Sequence, residues 1–217
     1  MTAIRVLIGD DHRVVREGLK QVLADAPEVQ VAAEATDGAQ VLAAVQSLGG
    51  TDGLDVVLLD IAMPVLDGLE VLQRLRSEWP RLPVLMLSTY PERQYAVRCI
   101  KLGAAGYLNK SADPDAMIAA VRKVAGGGIY VTAATAEALA SVVGGAAARS
   151  GPEALSHREH QVFRLLTLGH SVSEIGAKLQ LAPNTVSTYR ARILEKTGTK
   201  NDVELALYAE RHAKGAG

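Results

Sequence analysis

The chain has 217 residues, 48% hydrophobic and 22% charged, with a formal net charge of −1. That length suits one or two domains, the composition excludes global disorder, and the charge by itself points to no polyanionic partner. A single cysteine, Cys99, excludes an intrachain disulfide and fits a reducing compartment. Residues 4–9 read as a first strand, ended by Asp10, Asp11 and His12. Apolar spacing through Val15, Leu19, Val22 and Leu23 predicts a helix over 14–24. A second strand is expected over 29–35, and a helix over 38–48 after Asp37. The Val- and Leu-rich run 54–60 suits a strand buried on both faces, as in a parallel sheet covered by helices. It ends in Asp60, and Pro64 and Gly68 then break the backbone into a loop. Residues 68–78 return to helical spacing. Pro83 opens a fourth strand, 84–87, ended by Ser88 and Thr89. Pro91 suits the first turn of a helix running to Gly103, in which Cys99 reads as a small packing residue. A short fifth strand over 106–109 ends at Lys110. Asp113 then caps, and Pro114 starts, a helix reaching about Ala125.

Strands alternating with helices in this way predict a doubly wound, five-stranded parallel α/β domain over residues 1–128, in the flavodoxin-like order 2-1-3-4-5. Thr132 should cap a short helix over 133–143, and the small residues 144–152 read as flexible, so 129–154 is expected to be a linker with a short helix. Residues 155–217 predict a smaller all-α domain of four helices. Ser156 with Glu159 forms a capping box, Ser171 caps a short helix, and Leu181-Ala182 make a tight turn. Pro183 opens a third helix to about Lys196, stopped by Gly198, and Asn201 caps the last. Two short helices joined by a tight turn are the helix-turn-helix pattern. Gly176 inside such a helix should cost roughly 1 kcal/mol. Residues 1–128 carry 13 basic and 16 acidic side chains, and 155–217 carry 9 and 6, so an acidic front faces a mildly basic rear. Without a signal-peptide pattern or an 18-residue apolar stretch, a soluble cytoplasmic protein with no membrane partner is expected.

In the 2-1-3-4-5 order, Asp10 and Asp11, Asp60, Ser88 and Lys110 all fall at the carboxyl edge of adjoining strands, where such folds bind and react. Three carboxylates in one pocket repel unless a cation intervenes. Mg²⁺ (or Mn²⁺) is the natural ion beside a phosphate. Asp11 and Asp60 are candidate direct ligands, with Asp10 through water and the Ala62 carbonyl completing the set. Asp60 is then a candidate nucleophile towards phosphorus, with Lys110 offsetting charge on the phosphoryl oxygens and Ser88 donating to them. Singly, each residue has a duller reading: Asp10-Asp11 or Ser88 could cap helices, Asp60 could begin a turn, and Lys110 could be solvated.

On the third rear helix, Val186 and Ile193 share an apolar side, and Asn184, Ser187, Thr188 and Ala191 lie opposite. Small polar groups there can approach base edges in a major groove, while Arg190, Arg192 and Lys196 suit phosphates. A dimerisation or protein-docking module is the alternative.

Asp10-Asp11, Asp60, Met63-Pro64, Ser88, Tyr107 and Lys110 together resemble response-regulator receiver domains. The resemblance implies that Asp60 is the phosphoacceptor, Ser88 a hydroxyl switch and Tyr107 an aromatic switch whose ring swings inward on phosphorylation. Ser111 departs from the proline that many receivers carry there. Leu155-Ser156-His157-Arg158-Glu159, Ser173-Glu174-Ile175 and the run Thr185-Val186-Ser187-Thr188-Tyr189-Arg190 resemble the LuxR-type DNA-binding domain, although Ser187 replaces the lysine of several relatives. The whole chain resembles NarL/FixJ-family response regulators, in wording nearest the branch of BvgA, GacA and UvrY. That resemblance implies a sensor histidine kinase and promoter DNA as partners, dimerisation on phosphorylation, RNA polymerase as a further candidate partner, and transcription control rather than enzymatic turnover. A phosphotransfer enzyme and a phosphorylation-independent DNA-binding protein remain the alternatives.

Overall fold

The computed structural model describes residues 3–89, 92–143, 155, 157–179 and 181–214. The chain divides into two compact units, residues 1–146 and 147–217. In the first, β1 (Ile4–Gly9), β2 (Val29–Ala35), β3 (Val56–Asp60), β4 (Val84–Ser88) and β5 (Gly106–Asn109) form one parallel sheet in the order β2-β1-β3-β4-β5. Between and after them run α1 (Arg13–Ala24), α2 (Gly38–Ser47), α3 (Gly68–Glu78), α4 (Glu92–Lys101) and α5 (Pro114–Ala125). Every residue of β3 and β4 is buried, which is why both read as unbroken apolar runs. On one face Leu7, Val57, Leu59 and Met86 pack with Val41, Leu72 and Cys99 from α2, α3 and α4. On the other, Val6, Ile8, Leu58 and Leu85 pack with Leu23 of α1 and Val121 of α5. β3 starts two residues later than the apolar run, because the Leu54 amide is held in the preceding turn, donating to the Gly50 carbonyl at 2.9 Å.

Register brings the strand ends level: Asp60 pairs with Leu87 and Ser88 with Asn109, while the Lys110 amide donates to the Ser88 carbonyl at 2.9 Å. After β3 the chain turns tightly. The Leu66 amide donates back to the Pro64 carbonyl at 2.7 Å, leaving Val65 in a left-handed conformation at φ 66° and 81% exposed. A β-branched residue is strained there, at about 1–2 kcal/mol. Val65→Gly, which has no Cβ to clash in this γ-turn, is expected to stabilise the protein by up to about 1 kcal/mol. An unchanged or lowered midpoint in urea unfolding would show that the turn is not strained. Asp67 then caps α3, accepting from the Leu69 and Glu70 amides at 2.9 Å while Glu70 bonds back to the Asp67 amide.

Two expectations need adjusting. Asp113 sits at the cap position of α5 but makes no side-chain cap bond, so Pro114 at the first helical position sets that start. The helix expected in the linker exists as α6 (Ala133–Val143), with the Thr132 hydroxyl accepting from the Thr135 amide at 3.2 Å. It packs against α4, and Tyr130 is bridged to Gly106, its amide donating to the Ala105 carbonyl at 2.8 Å. Residues 129–143 therefore join the first unit. The expectations for Pro91, Ser156 and 144–152 lie outside the described residues.

The second unit comprises α7 (His157–Thr167), α8 (Val172–Leu179), α9 (Pro183–Thr197) and α10 (Asp202–Lys214), packed around Val162, Phe163, Ile175, Val186, Ile193 and Leu205. Ser171 and Glu174 cap α8 reciprocally, and Asn201 accepts from the Glu204 amide at 2.9 Å to cap α10. Among the described residues, no helix is long and apolar enough to cross a membrane.

Candidate functional site

The sheet edge gathers the expected residues. Asp10 and Asp60 are 1% and 2% exposed, and Lys110 reaches between them, its Nζ 2.6 Å from Asp10 Oδ2 and 2.9 Å from Asp60 Oδ2. Each of these oxygens has two lone pairs and, among the described residues, no partner besides the ammonium, so both keep acceptor capacity although they are buried. Ligand atoms of Asp10, Asp11, His12 and Asp60 all lie within 4.8 Å of one another. Three carboxylates against one ammonium leave two negative charges, which one dication balances. Buried oxygens with spare lone pairs, in a set of three carboxylates, fit a hard divalent ion.

The electrostatics agree. Burial pushes the Asp60 carboxyl above its ordinary range, and Asp10 adds to this, against the pull of Lys110 and a hydrogen bond from the Ala62 amide. For Lys110, burial alone would lower the value, but Asp60 and Asp10 outweigh it and hold the ammonium protonated above its usual range. The pocket is one cation short, and Asp60 bears that deficit. Ser88 is fully buried at the end of β4. Ser111 follows Lys110 with its amide and hydroxyl both donating to Asn109 Oδ1, at 2.9 and 2.7 Å.

Tyr107 lies within the core of the first unit. Its ring is already fully buried, in the cluster that holds Tyr95, Ala96 and Cys99 of α4. The structure thus holds the ring in an inward position. Cys99 is inert packing, its thiol pushed up to about 12 by burial. Two residues escaped the reading of the sequence. His12 joins the acidic cluster. Arg16 holds the Asp10 carbonyl at 2.9 Å and pairs with Glu34 at 3.1 Å, fixing the chain beside the pocket.

On α9, Val186 and Ile193 are buried, while Asn184, Thr185, Ser187, Thr188, Ala191 and Arg192 are exposed. Asn184, Thr185, Thr188, Tyr189 and Arg192 line one open depression. The other two expected phosphate contacts are engaged within the protein. Lys196 Nζ lies 2.6 Å from Glu159 Oε2, whose residue is 2% exposed, so this pair ties α9 to α7. Arg190 Nε lies 2.8 Å from Asp202 Oδ1, tying α9 to α10. Gly176 also differs from expectation. A Cβ there would stand 2.7 Å from the Leu181 carbonyl, because the turn between α8 and α9 folds back onto it, Leu181 N to Gly176 O at 2.9 Å. Helix propensity favours Gly176→Ala by about 1 kcal/mol, but the clash outweighs it. Gly176→Ala is expected to destabilise the protein by about 1–2 kcal/mol in thermal or urea unfolding; a gain in stability would show that the turn yields freely.

Comparison with known proteins places this architecture in a class. A family profile described as "Response regulator receiver domain" matches residues 6–122, and one described as "Bacterial regulatory proteins, luxR family" matches 153–209. The chain belongs to the response regulators, in the group that joins a receiver to a LuxR-type DNA-binding domain. Response regulator GacA of Pseudomonas aeruginosa is 38% identical over 210 residues, 96% of each chain. Transcriptional regulatory protein UhpA of Escherichia coli K12 is 40% identical over 203 residues, 94% of this chain and 96% of that one. The crystal structure of response regulator ChrA, from a heme-sensing two-component system, is similar with TM-score 0.53 and 33% identity, covering 98% and 99% of the two chains. A DNA-binding regulator of a two-component system is thus the class in which the pocket and α9 are to be understood.

Proposed function

We propose that Asp60 accepts a phosphoryl group from a sensor histidine kinase, and that this modification governs dimerisation and promoter binding through α9. One observation carries the reading: a buried carboxylate at the end of β3, pushed towards protonation, with Lys110 2.9 Å away and two more carboxylates beside it. An Asp60 carboxylate oxygen attacks phosphorus, the bond from phosphorus to the donor's nitrogen or oxygen breaks, and the pair of electrons leaves with the donor. Lys110 neutralises charge that builds on the transferring group, and Ser88 stands at the neighbouring strand end to receive one of its oxygens. Mg²⁺ (or Mn²⁺), held by Asp10, Asp11, Asp60 and the Ala62 carbonyl, supplies charge neutralisation when bound. Phosphorylation adds about −1.5 to −2 charges at the edge.

The route outward runs along β5, which carries Tyr107 and is bridged at Gly106 to Tyr130, just ahead of α6 on α4. Because Tyr107 is already packed, phosphorylation acts by holding that packed arrangement rather than by moving the ring into it. On DNA, Asn184, Thr185, Ser187, Thr188 and Tyr189 face bases and Arg192 a phosphate, with Arg190 and Lys196 holding α9 in place. RNA polymerase is the natural further partner of such a dimer at a promoter.

The test is chemical. A small phosphodonor with Mg²⁺ should modify Asp60 alone, as mapped by peptide mass spectrometry, and Asp60→Asn should take up none. Undiminished uptake by that variant would place the nucleophile elsewhere.

A further inference from the structure

The metal-competent cluster holds one member that is not a carboxylate. His12 is the N-cap residue of α1, with extended backbone (φ −89°, ψ 109°) and no side-chain bond to the helix it precedes. Its amide donates to Asp10 Oδ1 at 2.8 Å, which fixes its backbone against the pocket. Its ring Nδ1 lies 2.7 Å from Asp11 Oδ1 and 3.4 Å from Asp10 Oδ1, and the side chain is 63% exposed. A second observation points to a ligand rather than to pairing within the cluster. Asp10 Oδ2 and Asp60 Oδ2 are buried with no partner among the described residues other than the Lys110 ammonium, and their residues belong to the same group as His12.

We propose that His12 is a further ligand of this pocket, one that strengthens its hold on the nitrogen-seeking dications Co²⁺, Ni²⁺ and Zn²⁺ relative to Mg²⁺ and Mn²⁺. The inference rests on the pocket being a metal site at all. Mg²⁺ takes oxygen ligands in a strict octahedral shell and keeps several waters, so an imidazole adds little to its binding. Co²⁺, Ni²⁺ and Zn²⁺ take imidazole nitrogen readily, alongside carboxylate. Bonds of about 2.1 Å place trans ligands about 4.2 Å apart. The ligand atoms of the group lie within 4.8 Å of one another, and His12 Nδ1 is already 2.7 Å from Asp11 Oδ1 and 3.4 Å from Asp10 Oδ1, so only small adjustments gather them on one ion. A neutral imidazole leaves the charge balance unchanged, so the two kinds of ion differ in the nitrogen and not in the field of the carboxylates. His12 is then a selectivity residue: it sets how strongly a transition metal competes with the ion used for phosphorylation.

The test uses the full chain, its His12→Ala variant and its Asp60→Asn variant, titrated by calorimetry with Mg²⁺ and with Co²⁺, whose visible absorption also reports a nitrogen ligand. His157, His160, His170 and His212 are other nitrogen sources, so only Co²⁺ displaced by excess Mg²⁺ is assigned to the pocket. His12→Ala should weaken that Co²⁺ by about tenfold or more, as losing a ligand should cost at least as much as losing a ligand's support. It should leave Mg²⁺ within about twofold, since Mg²⁺ draws on oxygen alone. Co²⁺ affinity unchanged in His12→Ala, or Mg²⁺ weakened as much as Co²⁺, overturns the role of His12. Mg²⁺ binding that is absent from the unaltered chain, or indifferent to Asp60→Asn, overturns the metal pocket itself.

Discussion

Lys110→Met is expected to slow phosphorylation of Asp60 by about 100-fold, the loss seen when one preorganised donor to a transition state is removed. It should also cost about 3 kcal/mol of stability in Mg²⁺-free buffer near neutral pH, since breaking a buried ion pair strands its partners. Methionine keeps the aliphatic stem, so the loss belongs to the charge. Asp60 and Asp10 would then face each other buried without the ammonium 2.9 and 2.6 Å away. The pH dependence has a definite sign. The Asp60 carboxyl is held above its ordinary range, so the stability linked to its proton is full below that range and is lost as pH rises through the elevated value. Lys110 is likewise held high, and its contribution is full below the usual lysine range and lost only in strong base. Removing it therefore harms the protein most at neutral pH and least in acid. Added Mg²⁺ should restore part of the loss, because it binds the folded pocket. Urea unfolding at two pH values, with and without Mg²⁺, reads all three effects; a loss indifferent to both would mean that Lys110 serves packing alone.

Gly68→Ala should have a comparable effect by a different route. Gly68 opens α3, and a Cβ there would stand 1.9 Å from the Asp60 carbonyl and 2.9 Å from the Ile61 Cα. Backbone cannot rotate aside as a side chain can, so the β3–α3 junction must move. The expected cost is about 3 kcal/mol, at the upper end for overpacking. Because the displaced carbonyl belongs to the proposed phosphoacceptor, labelling should fall as well. Gly18 in α1, with nothing within 4 Å of its would-be Cβ, is the internal control. Gly18→Ala should stabilise by up to about 1 kcal/mol and leave labelling unchanged. Equal behaviour of the two variants in unfolding would show that the tight contact at Gly68 is not constraining.

These residues also mark what the sequence discloses. Strand ends could be read because β1, β3, β4 and β5 are short apolar runs closed by polar residues, and parallel order then set Asp10, Asp60, Ser88 and Lys110 on one edge. Capping at Asp37, Ser171 and Asn201 was equally legible, since a cap and its amide lie three residues apart. What escaped depends on contacts distant along the chain. The pairing of Lys196 with Glu159 could not be read, because nothing near Lys196 in sequence reveals a partner 37 residues earlier. Gly176 looked like a propensity cost because periodicity does not show that the next turn folds back over it. The burial of Tyr107 beneath α4 is likewise set by packing and not by pattern. The docking of α6 on α4 was hidden for the same reason.

The most direct test of the central claim joins chemistry to output. Sedimentation and titration with promoter DNA, each on the unaltered chain and on Asp60→Asn, with and without phosphodonor and Mg²⁺, measure whether modification of Asp60 reaches α9. The account predicts that donor-treated protein self-associates and binds DNA at least about tenfold more tightly, a change of about 1.4 kcal/mol, while Asp60→Asn ignores the donor. Self-association and DNA affinity that stay unchanged in protein whose Asp60 is fully modified would contradict it.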